Sequence, residues 1–194
     1  AAKKSTSVFF YGTSDARAVD AGSEDAMTRS LSYKNGLSST ELAASTIQAD
    51  AIQNLTKLTS DTHYVGEKGD ELSNYAYNYQ TVKQGTGYGA SIARTTAVYY
   101  YDHVDTDHPA NNDPEARAES ATSEDRMSAS RTFKVTAIAD IADEAAATPN
   151  IQSSTYYLGD KGFEIADYSF NFKVGSAAKK STSVFFYGTS DARA

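Results

Sequence analysis

The stretch AAKKSTSVFFYGTSDARA occupies residues 1–18, and residues 177–194 repeat it letter for letter. Its centre, VFFY at residues 8–11, is apolar at four successive positions, which is typical of a strand with both faces covered. Eighteen residues cannot bury a core of their own, because domains of fewer than about 40 residues usually need disulfides, metals or partners. The chain has no cysteine, so the repeated stretch is predicted to be one part of a larger structure.

The composition is typical of a folded globular protein. Of the 194 residues, 40% are hydrophobic and 22% are charged, and a chain of this length forms one ordinary domain or two small ones. The net charge of −7 argues against nucleic acid or an anionic membrane as a partner, because both need a basic surface. No apolar run approaches the roughly 18 residues of a membrane-spanning helix, so we expect no membrane insertion.

A second, more diverged repeat lies inside the chain. Residues 62–79 read THYVGEKGDELSNYAYNY, and residues 155–172 read TYYLGDKGFEIADYSFNF. The same residue stands at eight of the eighteen positions, and most of the others are similar in kind. Repeats of this kind indicate two copies of one structural unit.

The order of related blocks continues upstream of this repeat. Residues 5–11 (STSVFFY) resemble residues 95–101 (TTAVYYY), and residues 16–27 resemble residues 116–127. We therefore predict a first β unit, a second homologous β unit and the start of a third, which span residues 1–92, 93–176 and 177–194.

Alternating side chains predict strands near the end of each unit. The aromatic residues within 75–79 and 168–172 alternate with small or polar ones, and a period of two gives a strand one aromatic and one polar face. Residues 131–141 alternate in the same way. The sequence predicts a mainly β fold of two tandem, homologous, β-sandwich-like units, in which the terminal strand is duplicated.

One short helix is predicted in the first unit. Ser38 and Glu41 have the spacing of a capping box, and apolar residues follow at roughly helical intervals from Ile47 to Leu58. The corresponding part of the second unit is shorter and has partly the pattern of a strand.

Two interpretations of the terminal copy fit the sequence. In the first, the chain is a window from a long array with a period of 176 residues, and any such window has matching ends. In the second, the copy is a donor strand, so that the opening strand of a unit, residues 5–12, completes the sheet of its predecessor and is exchanged between neighbours. One alternate pair of side chains would enter the acceptor groove, and the candidates in the two copies are Val8, Phe9, Phe10, Tyr11, Val184, Phe185, Phe186 and Tyr187.

In this organisation, residues 1–18 and 177–194 resemble the donor strands of donor-strand-complemented subunits of bacterial and archaeal pili. In those families an N-terminal extension inserts as a strand into the incomplete sandwich of a neighbouring subunit. The resemblance implies a structural subunit of an extracellular fibre, assembled from copies of itself, in which the C-terminal copy complements its own chain.

The alternative function is that of an adhesin or carbohydrate-binding module from a surface repeat array, with a glycan receptor as its partner. Tyrosines at residues 99–101 are the candidates for stacking on a sugar, although such side chains more often pack within a sheet. Both functions predict a protein at the cell surface or outside the cell, and a first residue of Ala rather than Met fits a processed chain.

An acidic stretch in the second unit is a candidate calcium site. Calcium prefers oxygen ligands, and four carboxylates lie close together in the sequence at Asp102, Asp105, Asp107 and Asp113. A solvated acidic loop accounts for the same residues, and His103 with His108 would suit a transition metal instead. No other cofactor is predicted.

The sequence contains no motif that predicts catalysis. It lacks GxSxG, HExxH, a P-loop and a dinucleotide-binding fingerprint, which are the short motifs with a known chemical mechanism. We therefore expect a structural or binding protein rather than an enzyme.

Overall fold

A computed structural model describes residues 3–104, 113–141, 149–188 and 192–193 of the chain. These residues are mainly β, as predicted. The first strands are β1 (Ser5–Tyr11), β2 (Ala16–Arg17), β3 (Met27–Lys34), β4 (Ile47–Gln48), β5 (Ala51–Ile52), β6 (Leu58–Val65) and β7 (Leu72–Gln84). They are followed by β8 (Gly87–His103), β9 (Asp113–Arg117), β10 (Met127–Phe133), β11 (Ile151–Leu158), β12 (Ile165–Lys173), β13 (Ala178–Val184), β14 (Phe186–Tyr187) and β15 (Ala192–Arg193).

Most of these strands belong to one antiparallel sheet. Its order is β13-β12-β11-β10-β8-β7-β6-β3-β1-β2, and β9 pairs with β8 beside this path. The pairs β4–β5 and β14–β15 form separate two-stranded ribbons. The mainly β class is therefore confirmed, whereas the face-to-face packing of two sheets in a sandwich stays a prediction.

The chain divides into two compact units, Ala1–Arg94 and Thr95–Ala194. The division lies two residues beyond the boundary that the sequence repeats indicate. The terminal copy, which the repeats set apart as residues 177–194, is included in the second unit.

In the first unit, β1 lies between β3 and β2 and supplies the centre of the core. Val8 is opposite Leu31 of β3, and Phe10 is opposite Arg29. The fully buried cluster consists of Val8, Phe10, Leu31, Tyr33, Leu37 and Leu58. Burying an aliphatic or aromatic side chain contributes roughly 1.5–3 kcal/mol, so β1 is a principal source of the stability of this unit.

The expectation that β1 is covered on both faces is wrong for its second face. Val8 and Phe10 point into the core, but Phe9 between them is 46% exposed. Neighbouring side chains of a strand point to opposite sides, and the first unit buries only one of those sides. An apolar run therefore does not by itself establish double burial.

The register of the strand ladders repeats from one unit to the other. His63 lies opposite Tyr75 in β6–β7, and Tyr156 lies opposite Tyr168 in β11–β12, with an irregularity directly after each pair. Their rings stack with centroids 4.4 Å and 4.7 Å apart. The β1–β3 and β3–β6 ladders repeat residue by residue as β8–β10 and β10–β11, at the offsets of the sequence blocks.

The Gly-x-Lys-Gly turn before β7 and β12 needs its first glycine. Gly66 and Gly159 have φ of +115° and +118°, a region that side chains rarely adopt. A Cβ on either residue would lie 2.6 Å from a backbone oxygen, that of Asp70 or Phe163. Both units therefore make this turn with the same constraint.

The helix of the first unit is shorter than predicted. It spans Ser39–Ala43 (α1) and begins with the expected capping box, in which Ser38 accepts from Glu41 N and the Glu41 carboxylate accepts from Ser38 N. The apolar residues after it do not continue a helix. They form the β4–β5 ribbon, whose turn residues Ala49 and Asp50 have φ of +47° and +64°.

The strand predicted over residues 131–141 ends early. The β10 strand stops at Phe133, and Ile138–Asp140 form a short 3₁₀ turn. Beyond Phe133, two of the four alternating apolar residues are Ala137 and Ala139, which have little surface to bury and a low strand propensity.

Candidate functional site

The terminal copy forms a strand that pairs with β12. Residues 178–184 make up β13, which runs antiparallel to β12 with Val184 opposite Tyr168 and Ser181 opposite Asn171. The pairing continues one step further, where Phe185 N donates to the carbonyl oxygen of Asp167 at 2.9 Å. The copy therefore occupies the β12 edge of its own chain.

The second half of the copy repeats the hairpin that follows β1. In the first unit, Phe10 and Tyr11 pair with Arg17 and Ala16. In the copy, Phe186 and Tyr187 pair with Arg193 and Ala192 in the same register. The identical letters thus adopt the same local pairing at both places, although their surroundings differ.

Side chains of the copy add directed contacts to β12. Arg193 donates from Nε and Nη2 to the two carboxylate oxygens of Asp167, at 2.9 Å and 2.6 Å. Tyr187 donates its hydroxyl to the carbonyl oxygen of Ala166 at 2.7 Å. The Lys179 ammonium lies 3.5 Å from the centroid of the Phe170 ring. These contacts fix which part of β12 faces which part of the copy.

The predicted donor side chains are exposed in the copy. Val8 and Phe10 are 2% and 0% exposed in the first unit, but Val184 and Phe186 are 42% and 57% exposed. Phe185 and Tyr187 are also exposed. The copy is held by strand pairing along an edge, and its role as a donor strand stays a prediction. In the first unit, Leu37, Leu58 and the β4–β5 ribbon pack on Val8 and Phe10, and among the described residues the copy has no such cluster around it.

The edge of β1 that faces away from β3 is incompletely paired. On the side away from β3, β2 pairs only with Phe10 and Tyr11. Within the described ranges, no strand pairs with residues 5–9 on that side. Unpaired strand edges present backbone donors and acceptors to another strand, so this side of β1 is a candidate assembly edge.

An open cleft of about 590 Å³ lies beside this edge. One wall is β1, with Ser7, Phe9 and Tyr11, and Arg17 follows in the hairpin. The facing wall includes Leu42 of α1. The cleft therefore has a backbone edge, apolar surface, the Arg17 cation and the Asp20 carboxylate side by side.

Arg17 has only neutral acceptors in the first unit. Its Nη1 donates to the carbonyl oxygens of Leu42 and Ser45, each at 3.2 Å, and its guanidinium lies 5.9 Å from the centroid of the Phe10 ring. Among the described residues Arg17 forms no ion pair. Its counterpart in the copy, Arg193, binds a carboxylate.

Asp167 and Arg193 were not singled out from the sequence. The signal for the arginine was present, because the triplet Ala-Arg-Ala recurs at residues 16–18, 116–118 and 192–194. Asp167 corresponds to Asn74 in the first unit, so comparison of the two units weakens rather than strengthens the signal for a carboxylate there.

The candidate calcium site is only partly described. Asp105 and Asp107 lie outside the described residues. The Asp102 carboxylate accepts from Arg126 at 2.6 Å, and Asp113 accepts from Glu115 N at 2.9 Å. In the part of the chain that is described, three or more potential metal ligands do not come together. Calcium binding stays a prediction.

The tyrosines proposed for glycan stacking are largely buried. Tyr100 and Tyr101 are in the core of the second unit, and the Arg131 guanidinium covers the Tyr100 ring at 4.4 Å from its centroid. Rings in this position cannot present a face to a sugar. Of the three, only Tyr99 is partly accessible.

The most buried charge cluster lies in the first unit. Arg29 donates from Nε and Nη2 to both oxygens of Asp61, each at 2.7 Å, and Asp15 lies 3.4 Å from Nη1. Burial alone raises the pKa of Asp61, but the hydrogen bonds and charges of Arg29 and of His63, whose Nε2 lies 3.4 Å from Asp61 Oδ1, outweigh it and hold that pKa below its ordinary value. Both oxygens of Asp61 thus accept from the buried guanidinium of Arg29.

Comparison with protein-family models, curated proteins and solved structures found no match. The described residues contain no helix that is both long and apolar enough to cross a membrane. The interpretation of the chain therefore depends on its own geometry.

Proposed function

We propose that the chain is a structural subunit of an extracellular fibre, in which the opening strand of one copy pairs with the β12 edge of another. The terminal copy occupies this edge within its own chain and so complements it. The observation that carries the proposal is the β12–β13 pairing, because residues 178–184 have the same sequence as residues 2–8. Every contact that β12 makes with the copy is thus chemically available to a second chain.

The outer edge of β1 can pair with the β12 edge of another molecule in the same orientation as the terminal copy does. In the copy, Phe185 N–H faces β12, and N–H groups on one side of an antiparallel strand recur at every second residue. The N–H groups of Ser183 and Ser181 therefore face β12 as well. Ser5 and Ser7 hold the same places in β1. The Lys4 carbonyl accepts from Asn35 N at the end of β3, so the neighbouring Ser5 and, two residues on, Ser7 direct their N–H groups to the other side of β1, which is unpaired.

Tethering explains why a chain with its copy in place is expected to be monomeric. Backbone hydrogen bonds contribute about 0.5–1.5 kcal/mol each, and the intramolecular copy competes at an effective concentration on the order of millimolar. A second chain with the same strand cannot match this concentration in dilute solution. Assembly is expected only when the copy is displaced.

The test opens the β12 edge in the complete chain. Prolines at Ser181 and Ser183 remove two N–H donors from β13, and this tail-proline variant should form concentration-dependent oligomers in sedimentation velocity. The matched control adds Ser5→Pro and Ser7→Pro, which remove the same donors from the outer side of β1 and should restore the monomer. A tail-proline variant that stays monomeric would contradict the proposal, as would oligomers that persist in the control.

A further inference from the structure

We infer that Arg17 of one molecule is the partner of Asp167 in a second molecule of this chain. The cleft beside β1 of the first molecule would then receive the first part of β12 of the second. The inference rests on the proposed function and specifies its contact. The proposed occupant of the cleft is a second molecule of this chain, because the terminal copy already makes the corresponding contact with β12.

Asp167 is a buried carboxylate whose cation comes from the copy. It is 6% exposed, and both of its oxygens accept from Arg193. When the copy leaves β12, Asp167 loses both of these hydrogen bonds. A guanidinium in the same place on a second molecule would restore them.

Arg17 can supply this guanidinium without a change of register. It holds the position of Arg193 in an identical segment and pairs with Phe10 as Arg193 pairs with Phe186. Its present acceptors are two backbone carbonyls at 3.2 Å. Exchange of neutral acceptors for a bidentate carboxylate gives shorter and stronger hydrogen bonds.

The cleft is lined by the two side chains whose counterparts hold β12. Tyr11 and Arg17 both face it, and in the copy Tyr187 and Arg193 bind Ala166 and Asp167. A β12 edge placed against residues 2–8 of another chain would therefore bring Ala166 and Asp167 to this cleft. Pairing of Asp167 on one molecule with Arg17 on the other makes the contact selective for a second molecule of this chain in one register.

The experiment measures the dissociation constant of oligomers of the tail-proline variant. Asp167→Asn and Arg17→Gln, made separately in that variant, should each weaken association roughly tenfold or more, since hydrogen bonds between charged groups are lost. Arg94→Gln is the control, because the exposed Arg94 donates to Gln80 and lines neither the cleft beside β1 nor the pocket at Asp167, and it should leave the constant unchanged.

A charge exchange makes the test independent of simple loss of folding. In the tail-proline variant, Arg17→Asp and Asp167→Arg should each suppress self-association, and a mixture of the two should form mixed oligomers in which the two variants alternate, because both of their contacts are then complementary. If the tail-proline variant oligomerises but these substitutions leave its dissociation constant unchanged, the Arg17–Asp167 contact is overturned and strand exchange stands. If the tail-proline variant does not associate, both are overturned.

Discussion

Replacement of Phe10 by alanine should lower the free energy of unfolding by about 3–5 kcal/mol, the usual cost of removing a fully buried aromatic side chain. The same replacement at Phe186 should cost less than about 0.5–1 kcal/mol, because surface substitutions away from special features change stability little. Phe10 is 0% exposed and Phe186 is 57% exposed. The two residues stand in identical eighteen-residue sequences, so the comparison separates environment from sequence.

Urea unfolding followed by circular dichroism measures both variants, and the wild-type chain gives the reference. The slope with denaturant should be similar in all three, because the surface exposed on unfolding scarcely changes. Equal losses for Phe10→Ala and Phe186→Ala would contradict the different burial of the two copies. Such a result would mean that the copy, like β1, is packed into a core.

Replacement of Asp61 by asparagine should lower the free energy of unfolding by about 3–5 kcal/mol, as when one partner of a buried ion pair is removed. Asparagine keeps the shape of the side chain but leaves the Arg29 guanidinium buried, with Asp15 at 3.4 Å as its remaining carboxylate. The control is Asp102→Asn, which removes a more exposed pair with Arg126. Exposed pairs contribute about 0–1 kcal/mol.

The effect of Asp61→Asn should depend on pH in one direction. The pKa of Asp61 is lowered in the fold, so its ionised form contributes stability above the unfolded value of about 3.9. This contribution is lost as pH falls through the folded pKa. The difference between wild type and variant should shrink below about pH 4, where the Asp61 carboxylate becomes protonated. A difference that grows in acid would exclude the ion pair as its source.

Much of the fold was predictable because the chain repeats itself. The alternating aromatic residues within 75–79 and 168–172 predicted the strands that the structure has as β7 and β12, and the ladders of the related blocks share one register. A one-residue slip would turn the buried face of a strand outwards, so sequence similarity at constant offset requires a constant register. The capping box of Ser38 and Glu41 was also predictable from the sequence, because its contacts join residues only three apart in the chain.

Where a pattern was ambiguous, the sequence prediction failed. The apolar residues after α1 suit a helix by their spacing, but the positive φ angles of Ala49 and Asp50 turn the chain into a ribbon. The partner of Asp167 was not predictable either, because a carboxylate and a guanidinium in different segments meet only through the pairing of β12 with the copy. Spacing along the chain contains no information about that distance.

The sequence by itself determined that eighteen identical residues begin and end the given chain, and that related blocks recur in the same order between them. It also indicated a mainly β fold, since several of these blocks alternate with a period of two. Only the tertiary structure decided what the identical segments do. Val8 and Phe10 are buried because Leu37, Leu58 and the β4–β5 ribbon pack on that face of the sheet, whereas Val184 and Phe186 are exposed in a strand that is bound by its edge. Burial depends on what packs against a residue, and the same eighteen letters therefore form a core strand at one end and an edge strand at the other.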